Sequence, residues 1–205
     1  MFSFTLSSSR AVGLALVLSA VSSLCAAERK EWVMLTDCKY VSHPDNDGDS
    51  FRVRNGDKEI VFRLYFVDAP ETNLRQAERT REQSVYFGVT LDETLKAGAR
   101  VRDLVSETLQ TPFTVWTRWA QAGGRAKEPR YYALVLVGGT SLDEILVSKG
   151  LAQPKGVRPN LPDGVKASAH LEKLATLEAG ARETKAGLWA SSAEKPETKE
   201  KETSD

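Results

Sequence analysis

The sequence predicts an α+β, mainly β domain: a five-stranded Greek-key barrel of the OB type with about three helices. Three observations predict it. Five β-rich runs fall at residues 32–41, 51–54, 58–67, 112–119 and 130–137; one capped helical stretch separates the third from the fourth; and further helical stretches follow the fifth. No internal repeat, phosphate-binding glycine loop, dinucleotide fingerprint or Cys/His zinc pattern competes with that order.

The first run, from Trp32 to Val41, is dense in apolar, aromatic and β-branched residues and predicts a long strand. His43-Pro44-Asp45-Asn46-Asp47-Gly48-Asp49 then predicts a turn, because these residues supply side-chain to backbone bonds, a fixed φ and access to positive φ. Phe51 to Arg54 alternates apolar with basic residues, Asn55-Gly56 marks a hairpin, and Lys58 to Val67 supplies the partner strand. That strand ends at Pro70, which cannot continue a central strand.

Residues 73–86 are polar and charged without a clear period and read as an exposed loop or a short helical turn. Arg75, Arg79 and Arg81 have two readings there: contacts to substrate phosphates, or the solvated face that such charge runs usually form. Thr90 and Glu93 have the spacing of a capping box, and Leu91, Leu95, Ala99, Val101, Leu104, Val105 and Leu109 keep a helical spacing over residues 91–109. After the strands at 112–119 and 130–137, separated by a Gly123-Gly124 loop, Ser141 and Glu144 predict a second capping box. They open a short helix that Gly150 ends. A last helix over 166–186 has Leu171, Leu174 and Leu177 on its inner face; Gly187 stops it and Trp189 packs beside it. On this pattern His43 is a turn residue and His170 a helix-surface residue.

At the N-terminus, Arg10 precedes an apolar core from Ala11 to Val21 and small residues ending in Cys25-Ala26-Ala27. This is the pattern of a secretory signal cleaved near residue 27, and the apolar run is shorter than the about 20 residues a transmembrane anchor needs. Leu24 stands where a lipoprotein signal would carry a small residue before Cys25. The organisation read from the sequence is therefore a signal at 1–27, one domain at 28–190 and a disordered charged tail at 191–205. The expected location is periplasmic or secreted, with no membrane attachment after cleavage, and the chain reads as a monomer. Loss of Cys25 leaves Cys38 alone, so an internal disulfide is excluded and stability must come from an ordinary core.

The whole chain carries 28 basic and 28 acidic residues, and residues 28–190 carry 24 against 23. A globally basic nucleic-acid binder is excluded, so attraction to a polyanion has to be local. Local charge does gather. Asp47 and Asp49 lie on a Gly turn, Asp68 and Glu71 lie at a strand end, and Arg63 lies between the two clusters. If the strands pair, the acids converge on a hard cation and the arginine suits an anionic substrate. Metal, arginine and a spare carboxylate equip a site for phosphodiester hydrolysis. Singly, each feature has a plainer reading: a turn for Asp47 and Asp49, helix caps for Asp68 and Glu71, a structural ion pair for Arg63.

The ordered set D-G-D-S at 47–50, R-L-Y-F-V-D-A-P-E-T at 63–72, Y-F-G at 86–88, R-Y-Y-A at 130–133, S-K-G-L-A at 148–152 and G-L-W at 187–189 resembles the staphylococcal nuclease, or thermonuclease, family over residues 31–190. The resemblance implies a Ca²⁺ ion held by Asp49, Asp68 and the main-chain carbonyl of Ala69, with Asp47 behind them bonding the ion's water. It implies Glu71 as general base, a role disputed in the family, and Arg63 and Arg130 as the clamp on the scissile phosphate. Arg130 is chosen over Arg125 because it keeps the family's three-residue spacing to Ala133. Lys127 and Arg75 are further candidate substrate contacts. The implied activity is endonucleolytic cleavage of DNA, with RNA as the second candidate substrate, leaving 3′-phosphate ends. The family's base- and phosphate-contacting tyrosines have no clear counterpart: Glu128 falls at one such position and Lys155-Gly156-Val157-Arg158 replaces the others. Two further readings stand beside this one, a non-catalytic OB module that binds nucleic acid or a protein, and an exported structural protein that binds calcium for stability.

Overall fold

The computed structural model describes residues 31–123 and 128–192. The expected signal at 1–27 and most of the expected tail lie outside them. Five long strands form, β1 (Val33–Val41), β2 (Ser50–Asn55), β3 (Lys58–Leu64), β5 (Phe113–Ala122) and β6 (Arg130–Val137). Three two-residue strands join them: β4 (Val67–Asp68), β7 (Thr140–Ser141) and β8 (Gln153–Pro154). The main sheet runs β3-β2-β1-β5-β6-β7, and β3 also pairs with β6, which closes the ring. The closing pair is parallel, whereas its neighbours are antiparallel. The barrel predicted from the five β-rich runs is present. Closure leaves those five strands without a free edge on which another chain could pair.

The hairpin joining β2 to β3 turns one residue later than the Asn-Gly pair suggests. Asn55 still pairs with Lys58, so Gly56 and Asp57 make the loop. The Asn55 amide is free to bond elsewhere and donates to the Thr36 carbonyl at 2.6 Å. Inside the ring lie Phe51, Val53, Phe62, Leu64, Val115, Ala133 and Val135, all buried. Each large side chain of this set contributes about 1.5–3 kcal/mol through burial.

Four α-helices cover the barrel rather than about three: α1 (Ala77–Phe87), α2 (Leu91–Thr108), α3 (Leu142–Ser148) and α4 (Ala167–Glu183). The stretch read as a loop or short helical turn is a 3-10 turn at Leu74–Gln76 followed by α1. Its buried residues are Thr80, Gln83, Ser84 and Phe87. Their spacing is helical, but three of the four are polar, so no apolar period marks the helix. The capping box of α2 forms as expected: Glu93 N–H donates to Thr90 Oγ1 at 3.2 Å and Thr90 N–H donates to Glu93 Oε2 at 2.8 Å. The second expected box does not. Ser141 Oγ donates to Asp143, and Glu144 pairs with Lys173 at 2.7 Å. His170 is likewise not a surface residue. It is buried on α4, with Nε2 at 2.6 Å from Asp143 Oδ2 and its ring edge-on to Phe66. The fully buried line of α4 is His170, Leu174 and Ala181, and Leu171 and Leu177, half-buried, pack against the core beside it, as the sequence predicts. Among the described residues, no helix is long and apolar enough to cross a membrane.

A second, smaller core joins Phe87, Ala97, Ala181, Leu188 and Trp189. The rings of Phe87 and Trp189 lie 4.8 Å apart, and the Arg182 guanidinium sits 3.8 Å from the Trp189 ring. This cluster ties the end of α1 to α2, α4 and the closing turn Gly187–Ala190.

Helix α2 reaches the charged strand end through two glycines. A Cβ on Gly98 would lie 2.3 Å from the Glu71 carbonyl oxygen and 2.8 Å from that of Pro70. A Cβ on Gly48 would lie 2.5 Å from Val101 and 2.7 Å from Ala69. The helix therefore rests directly on the backbone that carries Ala69, Pro70 and Glu71. Alanine normally stabilises a helix interior over glycine by about 1 kcal/mol. At position 98 the steric term wins, and Gly98→Ala is expected to destabilise the fold by about 1–3 kcal/mol. Gly180 of α4 meets nothing within 4 Å, so Gly180→Ala should be neutral or stabilising. Urea unfolding midpoints of the two variants check this contrast.

Candidate active site

The site is assembled where β3 ends and β4 begins. Phe66 lies between them at φ +66°, a left-handed conformation that a bulky residue adopts only when its surroundings enforce it. Its ring is fully buried, and its N–H donates to the Val157 carbonyl at 3.1 Å. This turn sends Asp68 back toward the Asp47–Ser50 loop. In that loop, Asp47 Oδ1 accepts from the backbone N–H groups of Asp49 at 3.1 Å and Ser50 at 2.6 Å. The Asp49 carboxylate is thereby aimed at Arg63.

From there the polar contacts form one unbroken chain. Arg130 Nη1 donates to Ser50 Oγ at 3.3 Å, and Ser50 Oγ donates to Asp49 Oδ1 at 3.2 Å. Asp49 Oδ2 accepts from Arg63 Nη2 at 2.9 Å and from Ala69 N–H at 3.2 Å. The same Arg63 nitrogen donates to Asp68 Oδ1 at 3.1 Å. Arg79 also bonds Asp68 Oδ1, and its other terminal nitrogen lies 3.0 Å from Glu71 Oε1. The parallel pairing explains the two strand arginines: Arg63 lies opposite Tyr132 and Arg130 opposite Val61, so both project from one face of neighbouring strands. Arg130 Nη2 donates to the Gly123 carbonyl at 2.8 Å, while its Nε is buried with no hydrogen-bond partner among the described residues.

Two amides hold the acidic segment in place. Gln83 Nε2 donates at 2.8 Å to both Asp68 Oδ2 and the Ala69 carbonyl, and Gln83 Oε1 accepts from Glu71 N–H at 3.0 Å. Gln153, on β8, donates to Asp68 Oδ2 at 2.9 Å. Asp68 is thus buried with both oxygens occupied. Removing one partner from such a buried charge costs about 3–5 kcal/mol.

The charges act on one another accordingly. Asp49, more than Asp68 or Asp47, holds the Arg63 guanidinium in its charged form. Burial works to raise the Asp68 carboxyl, but Arg79, the two glutamines and Arg63 outweigh it and leave Asp68 below the usual carboxylate range. Glu71 is pushed up by burial, with Asp49 and Asp68 adding to the effect and Arg79 opposing it. Asp47 is pushed up by burial and then by the charge of Asp49.

The structure therefore brings together Asp47, Asp49, Arg63, Asp68, Ala69, Glu71 and Arg130, all named from the sequence. Arg75 stands apart: its side chain is exposed on the 3-10 turn, and no bond joins it to this chain among the described residues. Lys127 and Arg125 lie outside the described residues. Glu128 pairs with Arg52 at 2.9 Å. Gln83 and Gln153 escaped the sequence reading, and Arg79 was weighed there mainly as part of a solvated face. The available signal was the four-residue step from Arg79 to Gln83, which places both on one side of a helix.

Among the described residues, no three His, Cys, Asp or Glu side chains gather in metal-holding geometry. A cation here would rest on the carboxylates of Asp49 and Asp68 and the main-chain oxygen of Ala69. All are hard oxygen donors, and the two carboxylates already share one cationic nitrogen, Arg63 Nη2. In chemistry the set fits calcium.

A family model described as staphylococcal nuclease homologue matches residues 61–191, well over half of the chain. The matched span holds Arg63, Asp68, Ala69, Glu71, Arg79 and Arg130 and begins after the Asp47–Ser50 loop. No curated protein matches the chain.

The raised Asp47 carboxyl has a consequence for stability. Its folded form keeps a proton at pH values where the unfolded chain has released it. This group therefore lowers stability progressively as pH rises from about 4 toward its folded value. Asp47→Asn keeps the Oδ1 acceptor for both N–H groups and removes the titration. In chelator, the stability of the variant relative to the unsubstituted protein should rise between pH 5 and pH 8, measured as a difference in thermal midpoint. A difference that stays flat across that range contradicts the assignment.

Proposed function

Because the chain belongs to the staphylococcal nuclease homologue family, we propose that it is an exported, calcium-dependent endonuclease that hydrolyses phosphodiester bonds of DNA, with RNA as the second candidate substrate. The observation that carries this reading is the convergence of three arginines, three carboxylates and, through Gln83, a main-chain oxygen in one hydrogen-bonded chain at a strand end. The expected signal at 1–27 supports export.

Arg63 and Arg130 project from one face and would grip the non-bridging oxygens of the scissile phosphate. The Nε of Arg130, buried and without a partner among the described residues, supports that role, since such a donor can be satisfied by an incoming oxyanion. As water attacks phosphorus, negative charge grows on the equatorial oxygens, and two fixed guanidinium groups stabilise it without reorganising. Glu71, pushed above an ordinary glutamate by burial, is suited to accept the water's proton. The bond from phosphorus to the 5′ oxygen breaks, that oxygen takes up a proton, and the phosphate stays on the 3′ side. Asp49 and Asp68, with the Ala69 carbonyl, would hold the cation, and Asp47 fixes the loop behind them. When bound, calcium would supply Lewis-acid polarisation of the phosphate and orientation of the attacking water.

The test is digestion of single- and double-stranded DNA and of RNA by residues 28–205, with calcium and with chelator. Cleavage is expected with calcium alone. Arg63→Ala and Glu71→Gln should each lose about 10²–10³-fold in kcat while keeping the unsubstituted circular dichroism spectrum. If no substrate is cleaved but nucleic acid still binds in chelator, the chain is a binding module rather than an enzyme.

A further inference from the structure

We propose that Arg79 is an internal cation that occupies the divalent-ion position on Asp68, so that metal must displace it and the site fills only at higher calcium concentration. This rests on the nuclease reading above.

The geometry is specific to α1. Arg79 spans two acids at once, with one terminal nitrogen on Asp68 Oδ1 and the other 3.0 Å from Glu71 Oε1. Those belong to the carboxylate expected to ligate the ion and the carboxylate expected to act as base. The lone pairs of Asp68 Oδ1 are divided between Arg79 and Arg63, while Oδ2 is held by Gln83 and Gln153. No acceptor capacity on Asp68 is left for a metal unless one partner withdraws.

The partners are not equally free to leave. Arg63 is bound to Asp49 as well as Asp68, and its side chain is 14% exposed on a central strand. Gln83 and Gln153 are buried. Arg79 is 29% exposed and extends from a helix at the rim, so its guanidinium can swing into water at the least cost. A divalent ion and Arg79 would also repel each other across one carboxylate oxygen. Both terms point to competition: the arginine neutralises the acids in the metal-free protein and opposes the ion that replaces it.

Calcium titration calorimetry on the unsubstituted protein, Arg79→Gln and Arg79→Lys, without nucleic acid, tests this. Arg79→Gln should lower the calcium Kd about tenfold, within the usual range of such couplings. Arg79→Lys, which keeps the charge but cannot span both acids, should fall between. The same Arg79→Gln protein should melt lower than the unsubstituted protein in chelator and gain more from calcium. A tightened Kd is a result that damage to the fold does not produce. A Kd that is unchanged or weaker in Arg79→Gln overturns the competition, while the nuclease reading stands if the unsubstituted protein binds calcium and cleaves. Absence of calcium binding in all three proteins overturns both.

Discussion

The carboxylate of Asp68 is the point on which the rest of the arrangement depends. It lies buried at the end of β4 and accepts from four residues of three separate elements: Arg63 on β3, Arg79 and Gln83 on α1, and Gln153 on β8. A charge removed from water to this degree persists only when every lone pair is answered. Meeting that demand fixes where α1 sits, why β8 returns to pair with β4, and which way Arg63 turns. The antiparallel pair Asp68 with Gln153 is both a backbone register and a side-chain contact, so strand pairing and charge satisfaction reinforce each other.

Behind this polar layer the packing is correspondingly intolerant. Helix α2 approaches so closely at Gly98 that its backbone touches the carbonyls of Pro70 and Glu71, and Gly48 lets Val101 and Ala69 meet. The acidic segment is clamped between an apolar helix on one side and amide donors on the other. Pro70 is buried between them, ends the strand and fixes φ, which limits how far Glu71 can drift from Asp68. Positioning of this kind is what a site needs if its groups are to act without reorganising.

Much of this was legible in the sequence, for physical reasons that can be named. The five long strands announced themselves through β-branched and aromatic runs, and the capping box of α2 through Thr90 and Glu93. The acids and Arg63 announced themselves because charge at a strand end is costly without a use, whereas Arg130 came only through the family resemblance. What was not legible depends on polar residues buried by partners distant in the chain. The inner face of α1 consists of Thr80, Gln83, Ser84 and Phe87, so no apolar stripe betrays it. His170 is drawn inward by Asp143, 27 residues earlier, a pairing invisible to any local pattern. Ser141 prefers the neighbouring Asp143 to the backbone of α3, which defeats the second capping box. The hairpin slipped by one residue because the Asn55 amide had a better use on the Thr36 carbonyl.

The alternation of sign along the site has a further implication for how substrate would enter it. Passing from Arg63 through Asp68 and Arg79 to Glu71, every cation neighbours an anion, so the free protein is largely self-neutralised at its most charged spot. A phosphodiester alone would have to pull Arg63 from Asp49 and Asp68, leaving two buried carboxylates uncompensated. A divalent ion alone would have to displace a guanidinium from the same carboxylates. Together they would meet each other's demand: the ion, once it has displaced Arg79 from Asp68, would compensate the acids that Arg63 leaves on meeting the phosphate. Each ligand then binds more tightly in the presence of the other, and by linkage the two enhancements are equal. In a chain whose domain carries nearly balanced charge, such mutual dependence would stand in for the broad basic surface by which other proteins hold nucleic acid.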